Sequence, residues 1–141
     1  IEAGADVSYV SADGDSLALL ATQTGQSWSP EVIRILAKAK ADLNRSNLFY
    51  TPLTYAADLG NKELVAALLE GGADPNAKSD GGKTPLAAAI ENGTPEAVRA
   101  LVKGGADANV SDDSGNSALK VAQNYEKTDL AQLLKEHGAR E

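Results

Sequence analysis

Two unrelated markers recur in this chain at one interval of 33 residues, and nothing else in the sequence constrains its fold as strongly. The string TPLTYAADLG begins at Thr51, TPLAAAIENG at Thr84 and SALKVAQNYE at Ser117. Independently, Ala73-Asp74, Ala106-Asp107 and Ala139-Arg140 follow glycine or histidine-glycine pairs at the same interval. A shared period of this length implies stacked supersecondary units, each too small to bury its apolar face alone.

An earlier copy, SLALLATQTG from Ser16, stands 35 residues before Thr51, two over the period. The excess resolves locally. Gln26, Ser27 and Trp28 read as an insertion of three residues, and the segment between Asp42 and Thr51 is one residue short. IEAGAD at Ile1 matches LEGGAD at Leu69, so the chain opens in mid-pattern. The expected organisation is one domain over 1–141. Residues 1–10 are the tail of a preceding repeat, and 11–45 form a degenerate repeat with the insertion at 26–28. Residues 46–78 and 79–111 are regular repeats, and 112–141 form a C-terminal capping repeat.

Each copy reads as helix, turn, helix, extended loop. Thr51 and Thr84 precede Pro52 and Pro85, a side-chain cap followed by proline at the first helical position. The first helix ends at Gly25, Gly60 or Gly93. The second opens at Ser29, Asn61 or Thr94 with the same capping chemistry and carries apolar pairs at helical spacing, such as Leu64/Val65 and Leu68/Leu69. It stops at Gly71-Gly72 or Gly104-Gly105, where glycine permits a positive φ at the helix C-cap. Polar loops rich in Asn, Asp, Ser and Gly then turn back toward the next Thr-Pro.

The patterns G-x-TPL-x-x-A-A-x-x-G and L-L-x-x-GAD-x-N resemble the ankyrin repeat over essentially the whole chain. The resemblance implies an all-α solenoid of stacked antiparallel helix pairs with β-turn fingers projecting at right angles. Three departures stand out. The family's usual His after TPL is Thr54, Ala87 or Lys120 here, and Leu17-Ala18 replaces Pro-Leu in the first copy. Lys135 stands where Leu69 and Val102 are apolar, which suits a terminal repeat with a polar outer face.

Composition fits this reading. Only 4% of the residues are aromatic, so alanine and leucine must fill a core between closely spaced helices. A net charge of −7 opposes binding to nucleic-acid phosphates and to anionic membranes, and favours a basic or mixed protein surface as partner. With no cysteine there is neither a thiolate nucleophile nor a Cys-ligated metal. No leader pattern opens the chain and no apolar run reaches the ~20 residues of a membrane helix; the cytoplasm is slightly favoured as compartment.

Several strings invite a chemical reading. AKSDGGKT, Ala77 to Thr84, satisfies a relaxed phosphate-loop pattern, but it falls on a loop between repeats, with Pro85 next. His137 is the only histidine and suits a helix C-terminus better than catalysis. Asp112-Asp113 has no surrounding ligand loop and reads as a solvated turn. Asn44, Asn92 and Asn109 open glycosylation sequons, two of them the repeat's own asparagine. No enzyme, cofactor or metal site is expected.

What remains is surface. In ankyrin-type stacks, partners meet the finger tips and the exposed ends of the first helices. By repeat register that surface holds Tyr9, Asp13, Asp15, Arg45, Leu48, Phe49, Tyr50, Asp58, Leu59, Asp80, Lys83, Glu91, Asn92, Asp113, Asn116 and Tyr125. Acidic side chains outnumber basic ones in the set, and it holds most of the chain's aromatics. Phe49 and Tyr50 are either exposed anchors or packing beneath the shortened finger; Trp28 is either a lid on the helix ends or a second exposed anchor. The expectation is a monomeric, non-catalytic protein-binding scaffold. The alternatives are the targeting segment of a larger enzyme, or a dedicated inhibitor of the immunity-protein type.

Overall fold

The computed structural model describes residues 6–23 and 29–140; Ile1, Gly25, Gln26, Ser27 and Trp28 lie outside the described residues. Eight helices occur among them, in four pairs: α1 (Leu17–Gln23) with α2 (Ser29–Lys38), α3 (Pro52–Asp58) with α4 (Lys62–Glu70), α5 (Pro85–Asn92) with α6 (Pro95–Lys103), and α7 (Ala118–Asn124) with α8 (Thr128–Glu136). The first helices stack as one layer, α1 on α3 on α5 on α7, and α2, α4 and α6 stack as a second layer behind them. The described residues form no extended strand; isolated bridges Val10–Ser16 and Ser111–Ser117 close the bases of the first and last fingers. The all-α solenoid of the sequence reading is what is observed.

The helices start where side chains replace missing backbone partners. Thr51 Oγ1 accepts the Thr54 N–H at 3.0 Å, and Thr54 Oγ1 accepts the Thr51 N–H at 2.6 Å, a reciprocal capping box. Thr84, Ser117 and Ser16 cap α5, α7 and α1 in the simpler form. Asn61 caps α4 through Leu64 N–H. Thr94 departs from the expectation: it makes no side-chain cap, and its hydroxyl donates back to the Ala89 carbonyl at 3.4 Å.

Ala18, Ala56, Ala88, Ala89 and Ala122 are fully buried between the first helices, with Leu53, Leu64, Leu68, Ile90 and Leu101 filling the space between layers. Small side chains permit the close helix spacing that the low aromatic content foretold.

The glycine pairs divide their labour differently from the sequence reading. The positive φ falls on the second member, Gly72 at 94° and Gly105 at 95°, whereas Gly71 and Gly104 are the C-caps with negative φ. The first member is small for another reason. A Cβ on Gly104 would lie 2.5 Å from Leu69 Cδ1, and one on Gly71 would lie 2.8 Å from Leu43 Cδ1 and 2.9 Å from Ala37 Cβ. The neighbouring repeat packs onto the bare Cα.

The repeat's asparagine is likewise structural. Asn44, Asn76 and Asn109 each accept, through Oδ1, a backbone N–H of the next repeat, from Asp74 (2.7 Å), Asp107 (2.8 Å) and Arg140 (2.8 Å). Two of the three sequon asparagines are thereby held in joints between repeats. Asn76→Ala should destabilise the array by about 1 kcal/mol, the usual net value of one such hydrogen bond. Urea unfolding would measure it, with the exposed Asn124→Ala as a control expected to stay within error.

Candidate binding surface

Among the described residues four fingers project from the loops, closed by backbone hydrogen bonds from Ser11 N–H to Asp15 O, Asn47 N–H to Tyr50 O, Ser79 N–H to Lys83 O and Asp112 N–H to Asn116 O. The second closes over one residue fewer than the others. It also lacks the positive-φ glycine that the others carry as Gly14, Gly82 and Gly115. Its tip is Leu48-Phe49, 61% and 65% exposed, where the other tips present Asp13, Asp80 and Asp113, all exposed.

Side chains tie each finger to its neighbour. Asn47 Nδ2 donates to Asp15 Oδ1 at 2.6 Å, Ser46 Oγ donates to Asp80 Oδ1, and Lys78 Nζ meets Asp113 Oδ1 at 3.2 Å. The backbone joins in, with Asp80 N–H donating to Asn47 O at 3.3 Å. A Cβ on Gly82 would fall 2.3 Å from Asp113 Cγ, so the third and fourth fingers touch. Asn47, Ser46 and Lys78 were absent from the sequence-derived set. Their signal was available: each sits on a finger whose successor or predecessor carries a complementary group.

The two aromatics of the second finger have different surroundings. Phe49 points outward. Tyr50 is half-buried, edge-on to Tyr55 with ring centroids 5.0 Å apart, and its hydroxyl lies 3.4 Å from Asp58 Oδ2. Phe49 is therefore exposed, whereas Tyr50 packs beside the shortened finger. Below them an ionic cluster crosses two repeats: Lys83 Nζ lies 2.6 Å from Glu91 Oε2 and 3.5 Å from Asp58 Oδ1. Asp58 and Glu91 are one interval apart in sequence, so stacking brings their helices together, and Lys83 enters between them. The lysine of the phosphate-loop-like string is thus held by carboxylates, and its threonine caps α5.

This cluster predicts a pH dependence. Burial, reinforced by the charge of Asp58, raises the Tyr50 phenol above its ordinary pKa. Partial burial alone would lower the Lys83 ammonium, but the hydrogen bond to Glu91 and the charges of Glu91 and Asp58 outweigh it and raise its pKa. Both groups hold their protons more tightly when folded. Their contribution is complete below their unfolded pKa values and is lost as pH rises through the folded ones, a window opening at about pH 10. Urea midpoints should fall between pH 9 and 11, and Tyr50→Phe should flatten part of that fall.

The remaining residues of the set sit at the ends of the first helices, on the fourth finger and at the base of the first. Leu59 and Tyr125 cap the ends of α3 and α7 with side chains half exposed, and Asn92 is exposed at the end of α5. Asn116 Nδ2 is turned to Asp112 Oδ2 at 3.2 Å. The Asp112 carboxylate itself closes the fourth finger, accepting the N–H of Ser114 and Asn116 at 2.9 and 2.7 Å. Tyr9 lies with Arg45, Lys40 and Asp42 around a recess of about 210 Å³ at the first finger's base, beside residues of the loop that follows α2. His137 caps α8, its Nδ1 2.8 Å from the Leu133 carbonyl oxygen. No helix of the described residues is long and apolar enough to cross a membrane.

Comparison with known proteins gives the same answer as the geometry. The chain is similar to the Ankyrin repeat protein nuc-2 of Neurospora crassa, 44% identical over 59 residues, a span covering 40% of this chain and 5% of that protein. The chain therefore spans only a small fraction of that relative's length. The sequence model described as ankyrin repeats, in three copies, matches residues 1–79 and again 71–141. With stacked helix pairs, paired glycines and interlocked fingers accounted for residue by residue, the chain belongs to the ankyrin repeat family.

Proposed function

We propose that this chain binds a protein of basic or mixed surface through its finger tips and the adjoining ends of the first helices, acting as a monomeric scaffold without chemistry of its own. Ankyrin repeats are generally protein–protein interaction modules and typically non-enzymatic. The supporting observation is the second finger tip, where Leu48 and Phe49 stand exposed in a row of tips that otherwise carry carboxylates. Exposed aromatic side chains of this kind are the usual anchors of protein interfaces, and the carboxylates around them steer association.

The test compares affinity capture by the wild-type chain, Phe49→Ala and the outer-helix variant Arg99→Ala, quantified by mass spectrometry from the native host. A partner using the finger row should be lost with Phe49→Ala and retained with Arg99→Ala. Capture that survives the first and fails with the second puts the site on the opposite layer.

A further inference from the structure

Resting on that reading of the finger row, the geometry points to a particular ligand shape, and we infer that the row receives a polyproline-II segment carrying a cation, an apolar side chain and two further cations at every third position. The tips run in chain order: Asp13, then Leu48-Phe49, then Asp80, then Asp113. All are exposed, and one tip alone is apolar. The first three fingers are tied by the Asp15–Asn47 and Ser46–Asp80 contacts, and Gly82 of the third lies against Asp113 of the fourth, so their spacing follows that of the stacked helices beneath.

Helices packed through alanine lie about 8–10 Å apart. A ligand crossing the row must offer one side chain per ~8–10 Å, all on the same face. A β-strand rises ~3.3 Å per residue but alternates faces, so its third residue points away. An α-helix needs about seven residues to advance ~10 Å, and its diameter of roughly 10–12 Å demands a groove, whereas the row offers protruding tips. Polyproline II returns to the same face every three residues after about 9 Å, within the roughly 8–10 Å of packed helices. It also keeps its side chains apart and loses little entropy on docking.

Charge fixes the order. Lys or Arg suits Asp13, Asp80 and Asp113, and a leucine-sized side chain suits Leu48 and Phe49. The Lys78–Asp113 pair does not bar the last site, because exposed ion pairs contribute little and exchange readily.

The experiment uses three fluorescent peptides of equal charge and the full chain, read by anisotropy at low salt. The first has Lys-Pro-Pro-Leu-Pro-Pro-Lys-Pro-Pro-Lys. The second places the same Lys and Leu at every second position, and the third places them every seven residues in an alanine-rich helix. The first should bind at least about fivefold more tightly than the others and weaken about tenfold with Phe49→Ala, the loss expected of an aromatic anchor. Equal affinities for all three peptides, or preference for the helix, overturns the polyproline-II inference. If the first peptide binds best but ignores Phe49→Ala and Asp80→Asn, the finger-row reading itself fails. Phe49 dependence without spacing preference removes only the inference.

Discussion

Leu68→Ala should destabilise this protein by about 3 kcal/mol, lowering its melting midpoint on the order of 10 °C. Leu68 is fully buried in α4, a helix that packs against α2, α3 and α6. Truncation leaves a cavity in the apolar space between the two helix layers. Because an array gains stability from neighbour interfaces, weakening the second helix pair weakens its junctions on both sides. Leu134 is the repeat-equivalent residue of α8 and is also fully buried, but α8 packs chiefly against α7. Leu134→Ala should therefore loosen one end. Hydrogen exchange would separate the two: accelerated exchange through α2–α6 for Leu68→Ala, and acceleration confined to α7 and α8 for Leu134→Ala. Equal, global effects would mean that the chain unfolds as a single unit without repeat-level structure.

Phe49→Ala and Tyr50→Ala should divide binding from stability. Phe49 is 65% exposed, so its loss should leave thermal stability within about 0.5 kcal/mol of wild type. If Phe49 anchors a partner, binding should weaken tenfold or more, mainly through faster dissociation. Tyr50 is held edge-on by Tyr55 and faces Asp58, so its removal costs aromatic contact as well as burial. About 2 kcal/mol of destabilisation is expected. A weaker binding constant for Tyr50→Ala then reports a displaced finger. Measuring both variants by calorimetry and by binding kinetics makes the distinction. Stable Tyr50→Ala and destabilised Phe49→Ala would reverse the assignment of the two rings.

Much of this was legible in the residues, because it depends on interactions local in sequence. Thr-Pro starts, Gly60 and Gly93 ends and the shortened second finger are all set within four or five residues, where spacing determines geometry. What escaped depended on the neighbouring repeat. The smallness of Gly71 and Gly104 answers to Ala37, Leu43 and Leu69, which no local pattern connects to them. Lys83 meets Asp58 across 25 residues, although Asp58 and Glu91, one interval apart, could have been projected onto adjacent helix ends. Phe49 and Tyr50 could not be told apart from sequence. Both are apolar-rich and adjacent, and only the turn's closure at Tyr50 decides which ring lies against Tyr55.

The asparagine joints carry a consequence for how such a chain can change over generations. In each joint the side chain belongs to one repeat, whereas the donor is the peptide group of the next, which every residue except proline supplies. Asp74, Asp107 and Arg140 occupy the donor position with opposite charges and give the same bond at 2.7 to 2.8 Å. A connection indifferent to the identity of its second half can accept any unit that keeps the backbone course. Whole units can then be duplicated, deleted or recombined by genetic events without redesigning that bond.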